Sequence, residues 1–252
     1  MENPLINICD SAPVHFLESY CRFLGEAIGL KIHCTVNRPY LYLSDQEKSW
    51  MSQVQQLTGR KFPYWLICSN TKTDYTVKGW GFDNYQRLVD MLRGRIQFVQ
   101  VGAAEHKPQK LRGVIDLVGQ TDHRQLIRLA ANAEGGVGPE SYLMHIFAGL
   151  SKPFVAILSG FLPPSWVYYP TVTQIHRHGK LPCCQEKACW RARTVPLNDG
   201  DKEKDQSLCA WPVLGAEPIP KCMAMIPPEE VADAIEAFYD GGALSNGLPK
   251  LQ

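Results

Sequence analysis

The chain has 252 residues, 45% of them hydrophobic, which is enough apolar material for one large domain or for one and a half smaller ones. Lys and Arg number 26 against 25 Asp and Glu, so the net charge of +1 gives no overall field that favours nucleic acid or an anionic membrane. No apolar stretch reaches the roughly 18 to 20 residues of a membrane span, and the N-terminus lacks a basic start with an apolar run, so we expect a cytoplasmic protein.

Two helices are predicted at the N-terminal end of the chain. The stretch "VHFLESYCRFL", from Val14 to Leu24, places apolar residues at helical spacing. Farther along, Ser44 and Glu47 have the spacing of a capping box, which predicts a helix that runs toward Leu57.

Strands and helices then alternate as far as Gly160. Strands are predicted in "KFPYWLICSN", "RIQFVQVGA", "VIDLVG", "EGGVG" and "PFVAILSG", and helices in "FDNYQRLVDML", "DHRQLIRLAANA" and "SYLMHIFAGL". A last helix is predicted in "PPEEVADAIEAFYDGG", and the residues between Gly160 and that helix are expected to be irregular. The alternation with short turns predicts an α/β fold with a Rossmann-like parallel sheet and helices on both faces.

Ligands of such a sheet bind at the carboxyl ends of its strands, next to helix N-termini. We expect these ends to share one edge, in the loops that follow Ile67, Val101, Val118, Val137 and Leu158.

The stretch "GPESYLMHIFAGLSKP" places polar groups at this edge. Glu140 and Ser141 lie where a strand turns into the helix that contains His145. The free N–H groups at that helix start favour a phosphate, and Glu140 can accept hydrogen bonds from sugar hydroxyls. In the alternative interpretation Ser141 only caps the helix and His145 fills its buried face.

The loop "SNTKTDYTVKGW" follows the first predicted strand and has three threonines and two lysines. Hydroxyl and ammonium groups at the carboxyl edge of a sheet can bind a pyrophosphate. The alternative is an ordinary solvated loop.

Five of the nine cysteines lie close together in the region of residues 181 to 223: Cys183, Cys184, Cys189, Cys209 and Cys222. Four thiolates make a common tetrahedral site for zinc or a mononuclear iron, with a structural role because no ligand position stays open. We select Cys184, Cys189, Cys209 and Cys222, since the gap between the first two lets both reach one ion. The alternative is reduced or adventitiously oxidised thiols.

The order and spacing of these stretches resemble glycosyltransferase family 9, the ADP-heptose heptosyltransferases. The resemblance extends roughly from Pro63 to Phe238, and "GPESYLMHIFAGLSKP" is its most specific part. It implies a GT-B architecture, in which two Rossmann-like domains face each other and the C-terminal one holds the nucleotide-sugar. Residues 61–252 would be this donor-binding half, with the cysteine-rich insert. Residues 1–60 would be a remnant of an acceptor domain that is largely missing, together with connecting helices.

The resemblance also assigns individual residues to the donor. Lys78 matches the lysine that contacts the donor phosphates, and Glu105 matches an acidic residue that contacts the nucleoside. Thr71 and Thr73 lie in the loop whose threonines approach the pyrophosphate.

Within the most specific stretch the chain has both matches and departures. Glu140 stands where the family usually has Asp, and Ser141 where it has Thr, while His145 matches the motif histidine. Tyr142 stands where the family commonly has Gly.

The implied reaction is inverting transfer of heptose or a similar sugar from an ADP-sugar to an acceptor hydroxyl. The catalytic residues are not assigned, and Asp10 is a candidate that could stand in as the general base. The cysteine region resembles the iron-binding finger of dodecameric autotransporter heptosyltransferases, which makes iron a competitor of zinc and a homo-oligomer conceivable. The contrasting hypothesis is a nonenzymatic donor-binding or assembly module that supports a partner chain; nucleic acid is not an expected partner.

Overall fold

A computed structural model describes residues 14–36, 38–185 and 187–239. Its centre is a six-stranded, wholly parallel sheet with the strand order β3-β2-β1-β4-β5-β6. The strands are β1 (Trp65–Ile67), β2 (Phe98–Gln100), β3 (Ile115–Asp116), β4 (Gly135–Pro139), β5 (Phe154–Leu158) and β6 (Val172–His176). This is the order of a Rossmann-like fold, in which the direction of strand addition reverses between β1 and β4 while all strands stay parallel.

Nine α-helices lie in the described part of the chain. They are α1 (Phe16–Ile28), α2 (Asp45–Ser49), α3 (Gln53–Thr58), α4 (Phe82–Met91), α5 (His123–Asn132), α6 (Tyr142–Gly149), α7 (Lys202–Gln206), α8 (Lys221–Ala224) and α9 (Pro228–Glu236). Short 3-10 helices cover Thr73–Lys78, Ala104–His106, Pro164–Val167 and Pro182–Cys184, and a small antiparallel pair joins β7 (Pro212–Val213) to β8 (Ile219–Pro220). None of the described helices is long and apolar enough to cross a membrane.

The two faces of the sheet bury separate apolar clusters, as the alternation of side chains along a strand requires. In β1, Leu66 joins the cluster with residues of α3, α5 and α6, whereas Trp65 and Ile67 join the cluster with residues of α4, α8 and α9. The prediction of a Rossmann-like sheet with helices on both faces is therefore confirmed.

Glycines in β4 allow large side chains to pack directly on the sheet. A Cβ atom at Gly136 would lie 2.6 Å from the ring of Phe147 in α6 and 2.8 Å from the ring of Phe154 in β5. A Cβ atom at Gly138 would lie 2.8 Å from the carbonyl oxygen of Cys68. The "GGVG" stretch thus brings β4 and the chain after β1 into close contact.

The structure corrects two sequence predictions. Residues after Gly160 are not all irregular, because Val172–His176 forms the edge strand β6 beside β5. Only Val172 and Ile175 of that strand are buried, so its sequence lacks the apolar run that predicts a buried strand.

The helix predicted from Ser44 toward Leu57 is broken. The capping box of Ser44 and Glu47 is present, but extended backbone at Trp50 separates α2 from α3. The Trp50 ring lies beside the guanidinium of Arg128, 5.2 Å from ring centre to cation, and Ser52 contacts the hydroxyl of Tyr64 at 3.3 Å. Tertiary contacts of this kind override a local helical preference.

Gly136→Ala tests the close packing of β4. Because the added methyl group overlaps two rings that are themselves fully buried, we expect a loss of about 1–3 kcal/mol in the free energy of unfolding, measured by urea denaturation. Gly215→Ala is the matched control, since a Cβ atom there meets open space. Equal unfolding midpoints for the two variants would contradict the packing.

Candidate functional site

The candidate site lies where the two central strands of the sheet end. Lys78 ends the 3-10 helix that follows β1, and Glu140 directly follows β4. Because β1 and β4 are hydrogen-bonded neighbours at the point where the strand order reverses, their carboxyl ends open into one crevice. Lys78 and Glu140 meet there in an ion pair although they are 62 positions apart in the chain.

The ion pair is mostly shielded from water. The side chains of Lys78 and Glu140 are 19% and 14% exposed. Burial raises the pKa of the Glu140 carboxyl, but interactions with His145 and Lys78 outweigh it and lower the pKa to about 2. Lys78 also lies over the rings of Phe161 and Tyr75, with Nζ 4.8 Å and 5.3 Å from their centres. Glu140 is thus ionised at neutral pH, and its ion pair holds the ammonium group of Lys78 in place.

His145 is held between Glu140 and Tyr169. Its Nε2 lies 3.7 Å from Oε1 of Glu140, which is longer than a hydrogen bond, and its Nδ1 lies 2.8 Å from the hydroxyl of Tyr169. Burial raises the pKa of Tyr169, so that hydroxyl keeps its proton. These two contacts hold the imidazole ring between the Tyr169 hydroxyl and the Glu140 carboxylate.

Ser141 does not act as the cap of α6. It occupies the N-cap position, but its side chain accepts no hydrogen bond from the helix. Its hydroxyl oxygen is buried and has no hydrogen-bond partner among the described residues. A free hydroxyl beside free backbone N–H groups is a combination that suits an anionic ligand.

A cavity of about 600 Å³ opens beside Lys78, Glu140 and His145. Its walls are largely aromatic and come from α1, from the chain after β5 and from the cysteine-rich insert. The lining residues are Phe16, Tyr20, Tyr75, Lys78, Glu140, His145, Phe161, Leu162, Trp166, Val167, Trp190, Ala192, Glu203, Lys204 and Ser207. The volume is in the range of pockets that hold a small organic ligand.

The other residues singled out in the sequence lie outside this cavity. Thr71, Thr73 and Glu105 lie in the segments that follow β1 and β2 at the same edge of the sheet, and Thr73 and Glu105, both in short 3-10 helices, are exposed. The ring of Tyr142 turns away toward α5, where it lies 5.3 Å from the ring of His123, and so it does not narrow the cavity. Asp10 lies outside the described residues.

Sequence reasoning missed the contribution of the cysteine-rich insert to the cavity. Trp190, Glu203 and Lys204 of the insert reach the same space as Lys78. The lysines and aromatic residues of the insert are residue types that often line binding sites. Their position beside Lys78, however, depends on tertiary contacts with the chain after β1, which no local sequence pattern predicts.

The five clustered cysteines surround Gly160 and a second, very small cavity. Four of them line that cavity, namely Cys183, Cys189, Cys209 and Cys222, and Cys184 is buried against Gly160. Burial together with the neighbouring thiols raises the pKa of Cys183 to about 11, and burial raises that of Cys189 to about 12. Within the described residues, no three His, Cys, Asp or Glu side chains have the spacing of a metal centre.

The chain belongs to glycosyltransferase family 9 (heptosyltransferase), whose family model matches residues 8–187. No curated protein matches the sequence.

Solved structures resemble the fold at low sequence identity. E. coli ADP-heptose lps heptosyltransferase II matches with a TM-score of 0.54 and 19% identity, over 79% of this chain and 53% of that one. A glycosyl transferase family 9 protein from Veillonella parvula matches with a TM-score of 0.53 and 16% identity, over 64% of this chain and 49% of that one. The chain thus spans about half the length of these structures.

The Lys78–Glu140 pair is tested by a double-mutant cycle. Lys78→Met leaves a buried carboxylate without its cation, so we expect a loss of about 3 kcal/mol in the free energy of unfolding at pH 7. Lys78→Met/Glu140→Gln removes both charges and regains most of that loss. Urea denaturation of the wild type, Lys78→Met, Glu140→Gln and the double variant measures the coupling free energy between the two side chains.

The pH dependence of the free energy of unfolding of the same proteins tests whether Glu140 stabilises the fold in its ionised form. Because the pKa of Glu140 is lowered to about 2, its contribution is complete above the ordinary value of 4.5 and is lost as the pH falls toward 2. The double variant lacks this part of the acid destabilisation. Additive effects of the two substitutions would show that the side chains are not coupled.

Proposed function

We propose that this chain binds an ADP-sugar, ADP-heptose or a similar donor, and takes part in inverting transfer of the sugar to an acceptor hydroxyl in the cytoplasm. The observation that carries the proposal is the convergence of Lys78, Glu140 and Ser141 at the point where the strand order of the Rossmann-like sheet reverses. A cation, free helix N–H groups and an unpaired hydroxyl suit a diphosphate, while a fixed carboxylate suits sugar hydroxyls. Membership of glycosyltransferase family 9 supports the same assignment.

Each residue would have a distinct task in the reaction. The acceptor oxygen attacks the anomeric carbon, its proton passes to a general base, and the bond from that carbon to the diphosphate oxygen breaks. Negative charge then grows on the departing ADP, where Lys78 and the start of α6 would stabilise it. Glu140 would orient the sugar, and His145, fixed by Tyr169, would hold Glu140 in place.

We also propose contacts of the loop after β1 with the pyrophosphate and of the loop after β2 with the nucleoside. Thr71 and Thr73 would approach the pyrophosphate from the loop after β1, and Glu105 would contact the nucleoside from the loop after β2. All three lie at the carboxyl edge that carries Lys78 and Glu140, which supports this arrangement.

The acceptor side would require more than the described residues provide. We propose residues 1–60 as the part of the chain nearest to an acceptor domain and 61–252 as the donor half, with Asp10 as the candidate base. The match covers about half of the heptosyltransferase II structure. We propose that a partner chain or a homo-oligomer contributes to the acceptor side.

The cysteine cluster would hold a structural zinc or iron ion through Cys184, Cys189, Cys209 and Cys222. The donor set fits in its chemistry, because thiols are ligands that suit zinc and iron and the four cysteines lie in the region around Gly160. When bound, the ion would cross-link the segments of the insert. The thiolates themselves would fix Trp190 and its neighbours against the donor cavity.

A second candidate function is a nonenzymatic donor-binding or assembly module. This function needs only the crevice and cavity beside Lys78 and Glu140. Donor binding without sugar transfer, in the presence of candidate partner chains, would favour this alternative.

Calorimetric titration tests the donor site. We expect ADP-heptose and ADP to bind and UDP-glucose to bind at least about tenfold more weakly, and we expect Lys78→Ala or Glu140→Gln to weaken ADP-heptose binding by about tenfold or more. Lys72→Ala, an exposed lysine of the same loop that does not line the cavity, is the matched control. Loss of affinity in the control alone, or no binding of any adenine ligand, would contradict the proposal.

Elemental analysis of the purified chain tests the structural metal. We expect about one zinc or iron per chain, and its removal by a chelator to lower the unfolding temperature by more than about 5 °C. Cys209→Ser should lose the metal, whereas Cys34→Ser, which changes an exposed thiol outside the insert, should keep it. A metal-free chain with unchanged stability in Cys209→Ser would contradict this role.

A further inference from the structure

We infer that Lys204, on the short helix α7 of the cysteine-rich insert, is a second phosphate-binding cation of the donor cavity. The inference rests on the proposed donor site and extends it to a segment that has no part in the Rossmann-like sheet. Three observations carry it: the position of Lys204 in the cavity wall, the rigid attachment of α7, and the charge balance beside Lys78.

Lys204 and Lys78 face the same aromatic ring. The ammonium of Lys204 lies 5.6 Å from the centre of the Tyr75 ring, and that of Lys78 lies 5.3 Å from it. Both side chains line the 600 Å³ cavity, and Lys204 is half-buried. The Tyr75 ring is thus within cation–π distance of two ammonium groups that both belong to side chains lining the cavity.

A buried arginine fixes α7 in this position. Arg193 is fully buried, and its guanidinium donates to both carboxylate oxygens of Asp199, at 3.0 Å and 2.8 Å, and to Asp205 at 2.6 Å. Its Nε donates to the carbonyl oxygen of Thr73 at 3.3 Å. Because Asp205 is the neighbour of Lys204 in α7, the arginine ties that helix to the segment that ends in Lys78.

Two hydrogen bonds donated by backbone N–H groups strengthen the same attachment. The N–H group of Val77 donates to the carbonyl of Ala192 at 3.3 Å, and the N–H group of Thr194 donates to the hydroxyl of Thr76 at 2.9 Å. The insert and the chain before Lys78 therefore form one unit, so Lys204 is held in place before any ligand arrives.

The charge balance leaves Lys204 available for a ligand. The charge of Lys78 is matched by Glu140, whereas Lys204 has no ion pair among the described residues. Glu203 also lines the cavity, but it is exposed, so water screens its charge more than that of half-buried Lys204. A diphosphate carries more than one negative charge, and a second cation beside Lys78 would match it.

Titration with ADP and with adenosine tests the inference. We expect Lys204→Met to weaken ADP binding by about tenfold and to leave adenosine binding unchanged, because only ADP has phosphates. Lys204→Arg should retain most of the ADP affinity, since it keeps the charge. Lys202→Met is the matched control, because Lys202 is exposed on the same helix and does not line the cavity.

The outcomes separate this inference from the donor site itself. If Lys78→Ala weakens ADP binding while Lys204→Met binds like Lys202→Met, the donor site stands and the role of Lys204 is wrong. An equal loss of ADP and adenosine affinity in Lys204→Met would also overturn it, because the contact would then not be with phosphate. Failure of the wild-type chain to bind ADP would contradict the donor site and, with it, the role of Lys204.

Discussion

The ion pair of Lys78 and Glu140 is the interaction on which the candidate site depends. A buried carboxylate without a partner would take up a proton, and a buried ammonium without a partner would be costly to desolvate. Each is tolerated because β1 and β4 are neighbours that deliver the two side chains to one crevice. The glycines of β4 permit that close approach, and the aromatic rings around Lys78 keep the pair largely dry.

The cysteine-rich insert belongs to this arrangement as a wall of the cavity. Arg193 and two hydrogen bonds donated by backbone N–H groups join it to the segment before Lys78, and its thiols lie around Gly160 in the chain after β5. The carboxylates of Asp199 and Asp205 accept hydrogen bonds from Arg193, and Lys204 has no ion pair in the described part of the chain. The insert thus connects the cysteine cluster to the proposed donor cavity. Substitutions of the clustered cysteines are therefore expected to alter ligand binding.

The sequence predicted the features that local patterns record. Buried strands such as β5 and amphipathic helices such as α5 follow from apolar spacing and caps, and the alternation of the two predicted the parallel sheet. The edge strand β6 and the break at Trp50 were missed, because each depends on contacts with distant residues. Glu140 and Lys78 were identified by motif, whereas Lys204 reaches the cavity only through the buried contacts of Arg193.

The most direct test of the central claim is a crystal structure of the chain with ADP. The account predicts that the diphosphate lies at the start of α6, within hydrogen-bond distance of Lys78 and of the Ser141 hydroxyl, with the aromatic wall of the insert beside it. A nucleotide bound elsewhere on the fold, with the Lys78–Glu140 pair remote from its phosphates, would contradict the account.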